Sequence, residues 1–218
     1  MGEEESGVRI PQQKRSELTR RKILEAGQRL FEKEGFHATS SKKIAREAGV
    51  SVGSFYSYFK DKKHLLLEII EDKISSLYDL ARSINESPEL RRVDEKDLVR
   101  LMVFRARDMH IASPEFNREM NILCYTDDDV CRFMREKGRK IDGMVAELLR
   151  SRRDCLRVTD LEAAAHVTHS TIEFIIHQLR YMDPPLDEER IIEALVDMIH
   201  AYLFKPGCHV PDDLPPSP

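Results

Sequence analysis

The chain has 218 residues, 41% hydrophobic and 34% charged, which suits one sizeable helical domain, or a small domain plus a larger one, and excludes a disordered chain. No apolar run approaches the ~18 residues that a membrane helix needs, and the opening MGEEESGVRI lacks a signal-peptide core, so no membrane partner and a cytoplasmic location are expected. The net charge of −4 conceals a division: Arg9 to Lys63 carries 14 Lys and Arg against 6 Asp and Glu, whereas His64 onward carries 21 against 30.

A basic front joined to an acidic body predicts that only the front touches a polyanion. The four cysteines (Cys124, Cys131, Cys155 and Cys208) show no CxxC or metal-ligand spacing and read as reduced thiols.

In chain order, residues 1–14 read as a flexible arm. Between 17 and 34, Ile23, Ala26, Gly27, Leu30 and Phe31 recur at the spacing of a one-sided helix, and Gly35 is placed to end it. A second short helix covers 41–48, bearing Ile44, Ala45 and Ala48. Gly49 can take the left-handed conformation that stops it, and Ser51 can cap a third helix running to about 59. Two short helices joined by GVS are a helix-turn-helix signature. On the third helix, Phe55 and Phe59 face the core. Tyr56 and Tyr58 point elsewhere, and Gly53 and Ser54 are small enough for close backbone approach. Such a helix suits a DNA major groove, with a basic flank (Lys42, Lys43, Arg46, Lys60, Lys62, Lys63) to meet phosphates.

Residues 20–66 closely resemble the N-terminal DNA-binding domain of the tetracycline-repressor (TetR) family. The matching positions include Ile23, Leu24, Ala26, Leu30, Phe31, Gly35, Thr39, Ile44, Ala45, Ala48, Gly49, Val50, Ser51, Gly53, Tyr56, Phe59, Lys62 and Leu65. The resemblance covers about a quarter of the chain. It implies an all-α fold, with a three-helix DNA-binding domain at 15–62 and a helical effector-binding and dimerisation domain at 63–205. It further implies a homodimer on a pseudo-palindromic double-stranded operator, usually a repressor released by a small-molecule effector. Thr39, Ser41, Tyr56 and Lys62 fall where the family grips phosphates. Val52, Gly53, Ser54, Ser57 and Tyr58 fall on its base-reading face, with Lys42 and Ser51 beside them. Ser57 is small where some members carry a bulky side chain, so the operator sequence is not transferable.

The body reads as further helices at 61–84, 95–112, 115–124, 128–151, 160–182 and 187–204. NESPELRRVD is a linker, and a proline-rich tail runs from Pro206. In 95–112, Arg105 lies within an apolar stripe with Met102 and Met109. In 128–151, Lys137 lies among Phe133, Met134 and Met144. A cation in such a place needs an acidic protein partner or an anionic ligand. With Ile70, Ile74 and Leu77 of the long helix, these residues define an expected cavity for an apolar molecule, its acidic head met by Arg105 or Lys137.

On 160–182, His166, His169, Ser170, Glu173 and His177 share a face. Ligands strung along one helix cannot all reach one ion, so the face reads as a polar seam or dimer contact, and no metal or cofactor is expected. The final helix presents Ile191, Ile192, Leu195, Val196, Ile199, Tyr202 and Leu203, which suits the family's mode of dimerisation through its last two helices. The chain has no GxSxG, GxGxxG or HExxH motif and is not expected to be an enzyme. The alternatives are an effector-independent architectural DNA binder and, further behind, a helical metal-dependent hydrolase on the His/Glu face.

Overall fold

Capping residues turn these breaks into helix ends. The computed structural model describes residues 12–87, 93–109, 114–182 and 186–207. Among them lie nine α-helices: α1 (Gln12–Glu34), α2 (Ser41–Glu47), α3 (Val52–Tyr58), α4 (Lys62–Glu86), α5 (Glu95–Met109), α6 (Pro114–Thr126), α7 (Asp128–Arg150), α8 (Leu161–Tyr181) and α9 (Glu188–Leu203). No strand occurs among the described residues, only an isolated bridge between Leu156 and Phe204, so the all-α expectation holds. Most of the expected arm and tail, residues 1–11 and 208–218, lies outside the described residues.

Side-chain caps set the starts. Ser40 Oγ accepts from Lys43 N at 3.3 Å, Ser51 Oγ from Ser54 N at 3.0 Å, and Asp160 from Ala163 N at 3.0 Å. Asp127 and Asp187 cap α7 and α9 in the same way. Each cap stabilises its helix by about 1 kcal/mol. Gly35 (φ 84°) and Gly49 (φ 68°) end α1 and α2 in the left-handed region, where a side chain would be strained.

Two compact units result, one ending at Ile70 and the other beginning at Glu71. In the first, Ile23, Ala26 and Phe31 of α1 and Ile44 and Ala45 of α2 are buried with Phe55 and Phe59. The rings of Phe55 and Phe59 lie 5.8 Å apart between centroids. The division falls later than the expected 62/63 because Leu65, Leu66 and Ile69, in the first turns of α4, are buried too. Gly27 lets α4 approach: a Cβ there would stand 2.5 Å from Leu65 Cδ2.

In the second unit, Ile84 of α4, Leu98 of α5 and Leu148 of α7 form one buried cluster. Helix α9 buries Ile192, Leu195, Val196, Ile199 and Leu203. Its charged edge is held to α5 by Arg100, which donates to both Glu193 carboxylate oxygens at 3.0 and 2.9 Å, and by Lys96 at 2.5 Å from Asp197. The hydrogen bond from Arg100 holds Glu193 below the usual carboxylate range, and that from Lys96 does the same for Asp197.

Past α9, Lys205 N donates to Cys155 O at 2.8 Å and Arg157 N to Leu203 O at 2.9 Å, which lays the chain end along the 155–157 loop. Cys155 is disulfide-bonded, which corrects the reading of four reduced thiols. Cys124 and Cys131 are free, and Cys208 lies outside the described residues.

Candidate DNA-binding face and effector cavity

Helix α3 is anchored on one side only. Phe55 and Phe59 are fully buried, while Val52, Gly53, Tyr56 and Ser57 are exposed, Tyr56 to 55%. The Tyr56 ring stands edge-on to Phe55 at 5.3 Å, which fixes its direction while its hydroxyl stays in solvent. Ser54 is half-buried over the cap made by Ser51, and Ser57 Oγ donates to Gly53 O at 3.0 Å. On α2, Lys42 is exposed and Ser41 half-buried. Lys42 makes no ion pair or hydrogen bond among the described residues, so its charge is free for a partner.

Three expected contact residues are used inside the unit instead. Thr39 is buried and its hydroxyl donates to Gly35 O at 2.7 Å. Lys62 Nζ donates to Phe36 O at 2.7 Å, Thr39 O at 2.8 Å and His37 O at 3.3 Å, and lies 4.4 Å from the centre of the Phe36 ring. These bonds make Lys62 a brace of the α1–α2 turn. The Tyr58 hydroxyl bonds to that of Ser16 at 3.1 Å, tying α3 to α1. Sequence alone could not show the bonds of Lys62 and Tyr58, because each joins residues distant in the chain.

The second unit holds an apolar cavity of about 50 Å³, open on one side. Leu77, Leu80, Ala81 and Ile84 of α4 form one wall. Helix α5 supplies Met102, Arg105 and Ala106, and α7 supplies Ile141, Met144, Val145 and Leu148. His169, Ile172 and Glu173 of α8 complete it. Of the expected lining, Leu77, Met102, Arg105 and Met144 are in the walls. Ile70, Ile74, Phe133, Met134 and Lys137 are not, and the Met109 side chain lies outside the described residues.

Lys137 departs for a physical reason. Its ammonium, buried to all but 6%, pairs with Glu71 and lies 5.0 Å from the Phe133 ring centre. The lysine therefore satisfies a carboxylate of the protein itself and leaves Arg105 as the cation at the cavity. Arg105 is exposed and makes no ion pair or hydrogen bond among the described residues.

The His/Glu face of α8 is shared out among protein partners. Asp142 of α7 meets Nδ1 of both His166 and His169, at 2.8 and 2.7 Å, and His177 Nε2 lies 3.7 Å from Glu173. Asp142, like Glu71, escaped the sequence reading: its role depends on which helix packs against α7. No group of side chains able to hold a metal ion occurs among the described residues.

A helix-turn-helix unit with one free helix face, followed by a helical unit around an apolar cavity, defines a ligand-responsive type of DNA-binding protein. Residues 23–69 match the family described as bacterial regulatory proteins, tetR family, and residues 94–203 match the tetracyclin repressor-like C-terminal domain. The chain belongs to the tetR family, whose members are transcriptional regulators that bind DNA operators, form dimers and bind small-molecule effectors.

Among curated relatives, the HTH-type transcriptional regulator TtgR of Pseudomonas putida is 27% identical over 119 residues, 55% of this chain and 57% of that one. The chain spans about half the length of such relatives, or less. Among solved structures, a SmeT–triclosan complex superposes with a TM-score of 0.68 at 24% identity, covering 92% of this chain and 99% of that one. Reduced Escherichia coli NemR gives 0.66 at 16% identity, covering 87% and 100%. Both share the fold. No helix among the described residues is long and apolar enough to cross a membrane.

Proposed function

We propose that the chain is a homodimeric, cytoplasmic repressor that binds a pseudo-palindromic duplex through α3 and leaves it when a small molecule enters the cavity. The observation that carries this reading is the two-sided α3: Phe55 and Phe59 fix it in the core while Val52, Gly53, Tyr56 and Ser57 are left to solvent. Residues of that size and polarity can approach base edges, and exposed Lys42 and Arg46 supply sequence-independent attraction. An architectural DNA binder has no use for an apolar cavity, whereas a regulator does. The solved complex of SmeT with triclosan gives an example of this fold with a small molecule. Helix α4 contributes to both units, packing Leu65 and Leu66 in one and lining the cavity with Leu77 to Ile84 in the other. A ligand that displaces α4 thus changes the support of the DNA-binding unit, and by linkage DNA weakens the ligand equally.

The dimer surface differs from the one expected from sequence. Leu195 and Ile199 are buried within the chain, so they cannot face a second copy. Exposed apolar residues lie instead at Val167 and Phe174 of α8 and at Met198 and Tyr202 of α9, giving each helix an outward stripe. Met198→Glu should give a folded monomer by light scattering, whereas Leu195→Glu should unfold the chain.

The experiment for the whole reading is selection from a random duplex pool, followed by anisotropy titration of the enriched sequence. A two-fold symmetric site bound by two chains is expected. Failure to enrich any sequence from the pool would overturn the reading.

A further inference from the structure

We infer that the cavity is built for a flexible aliphatic molecule with a single anionic head, and that Arg105 is the residue that holds that head. The inference rests on the regulator reading above for its biological use, but its chemistry stands on the walls themselves.

Three observations select this class. First, apart from Arg105, His169 and Glu173, the described walls are aliphatic and thioether: leucine, isoleucine, valine, alanine and the two methionines Met102 and Met144, with no Phe, Tyr or Trp ring. A flat aromatic ligand finds no stacking partner there, and a quaternary ammonium finds no aromatic cage. Methionines and branched aliphatics adapt to a chain that can bend. Second, the space is narrow, about 50 Å³, and open on one side, which suits a slim chain better than a bulky or fused-ring molecule.

Third, the charges are unequally satisfied. Glu173 already faces His177 at 3.7 Å, and His169 is held through Nδ1 by Asp142 at 2.7 Å. Arg105 has no such partner among the described residues, and the other cation expected there, Lys137, is consumed by Glu71. Arg105 is therefore the cation of the cavity that has no protein partner among the described residues. A carboxylate or sulfate can take two parallel N–H bonds from a guanidinium, which a lysine could not offer. With Nδ1 of His169 engaged, its Nε2 is the ring nitrogen left for a polar group entering the cavity. Glu173 sets the specificity: it repels a second negative charge, so a monoanion fits and a dianion does not.

The test compares three probes of equal chain length, decanoate, 1-decanol and decyltrimethylammonium, by calorimetric titration of the full-length protein. Decanoate should bind best. Arg105→Met should weaken decanoate by about tenfold to a hundredfold, the worth of a charge-assisted pair at a partly open site, and leave decanol unchanged. Arg105→Lys should recover part of the loss, and Glu173→Gln should tighten decanoate. Equal affinity for decyltrimethylammonium and decanoate would overturn the inference, as would an Arg105→Met variant that keeps decanoate affinity. So would an absence of binding by all three probes. Duplex binding by the same preparation separates the two levels. If DNA is bound but decanoate is not, the ligand class is wrong and the regulator reading stands; if decanoate is bound but no duplex is, the reverse holds.

Discussion

The two units bury side chains for different ends. In the first, the core side chains of the helix-turn-helix close against one another. Phe31, Phe55, Phe59, Leu65 and Leu66 are essentially inaccessible, and one glycine hydrogen on α1 is all the space α4 needs. In the second, the helices leave an apolar cavity of about 50 Å³ that they do not fill. A reading helix must be held still, whereas a ligand must have somewhere to go. The same helical alphabet serves rigidity in one and vacancy in the other.

That contrast is broken most forcefully at Phe59. Phe59→Ala should cost about 3–5 kcal/mol, because a fully buried ring leaves a hole its neighbours cannot close. Thermal melting should show the loss together with loss of duplex binding. A cost under ~1 kcal/mol would mean the first unit is slack.

The next test lies in the second unit, at the Lys137–Glu71 pair, where the two halves should behave unequally. Glu71→Gln strands an ammonium that is nearly inaccessible and should cost about 2–4 kcal/mol. Lys137→Met leaves a carboxylate that is 45% exposed overall, although its Oε2 is buried, and should cost less. Equal costs by denaturant titration would place the lysine in water.

Gly27 and Ala81 give a matched pair of small-to-large changes. Gly27→Ala drives a methyl against Leu65 and should cost about 1–3 kcal/mol. Ala81→Leu adds more volume but adds it to the cavity wall, so stability should change by less than ~1 kcal/mol while decanoate binding falls. If both lose the same stability, the cavity is not a space the protein keeps open.

The smallest effect is electrostatic. Glu193 and Asp197 are held below the usual carboxylate range by Arg100 and Lys96. A carboxylate with a depressed folded-state pKa stabilises the fold above its unfolded value, and that contribution is lost as pH falls through the folded one. The α5–α9 clamp should therefore loosen only in acid. Arg100→Met should lower stability slightly near neutrality and flatten its acid-side decline. An unchanged acid-side slope would show that the pair adds nothing.

Much of this was legible in the sequence. The periodicity of Ile23, Ala26, Leu30 and Phe31, with Gly35, Gly49, Ser51 and Asp187 as punctuation, places the helices within a few residues because caps and periods are local. The core side of α3 was legible for the same reason. The cavity was only half legible: Leu77, Met102, Arg105 and Met144 were foreseen, but the expected cation Lys137 was not distinguishable from Arg105 until α4 brought Glu71 beside it. The outward face of α9 was misjudged, since Leu195 and Met198 are both apolar and only packing decides which one is covered. Lys62 shows the same limit, because a lysine in a basic flank and a lysine bound to three carbonyls have the same local sequence.

The central claim, that α3 and the exposed cations of α2, Lys42 foremost, meet DNA while Lys62 braces the turn behind them, is tested most directly by salt. Anisotropy titrations of the selected duplex over a range of salt concentrations should give a steep negative slope of log affinity against log salt. That slope should become shallower by about one unit in Lys42→Ala, as one phosphate contact is lost. Lys62→Ala should weaken binding through the loosened turn and leave the slope unchanged. A shallower slope for Lys62→Ala, or an unaltered one for Lys42→Ala, would contradict the assignment.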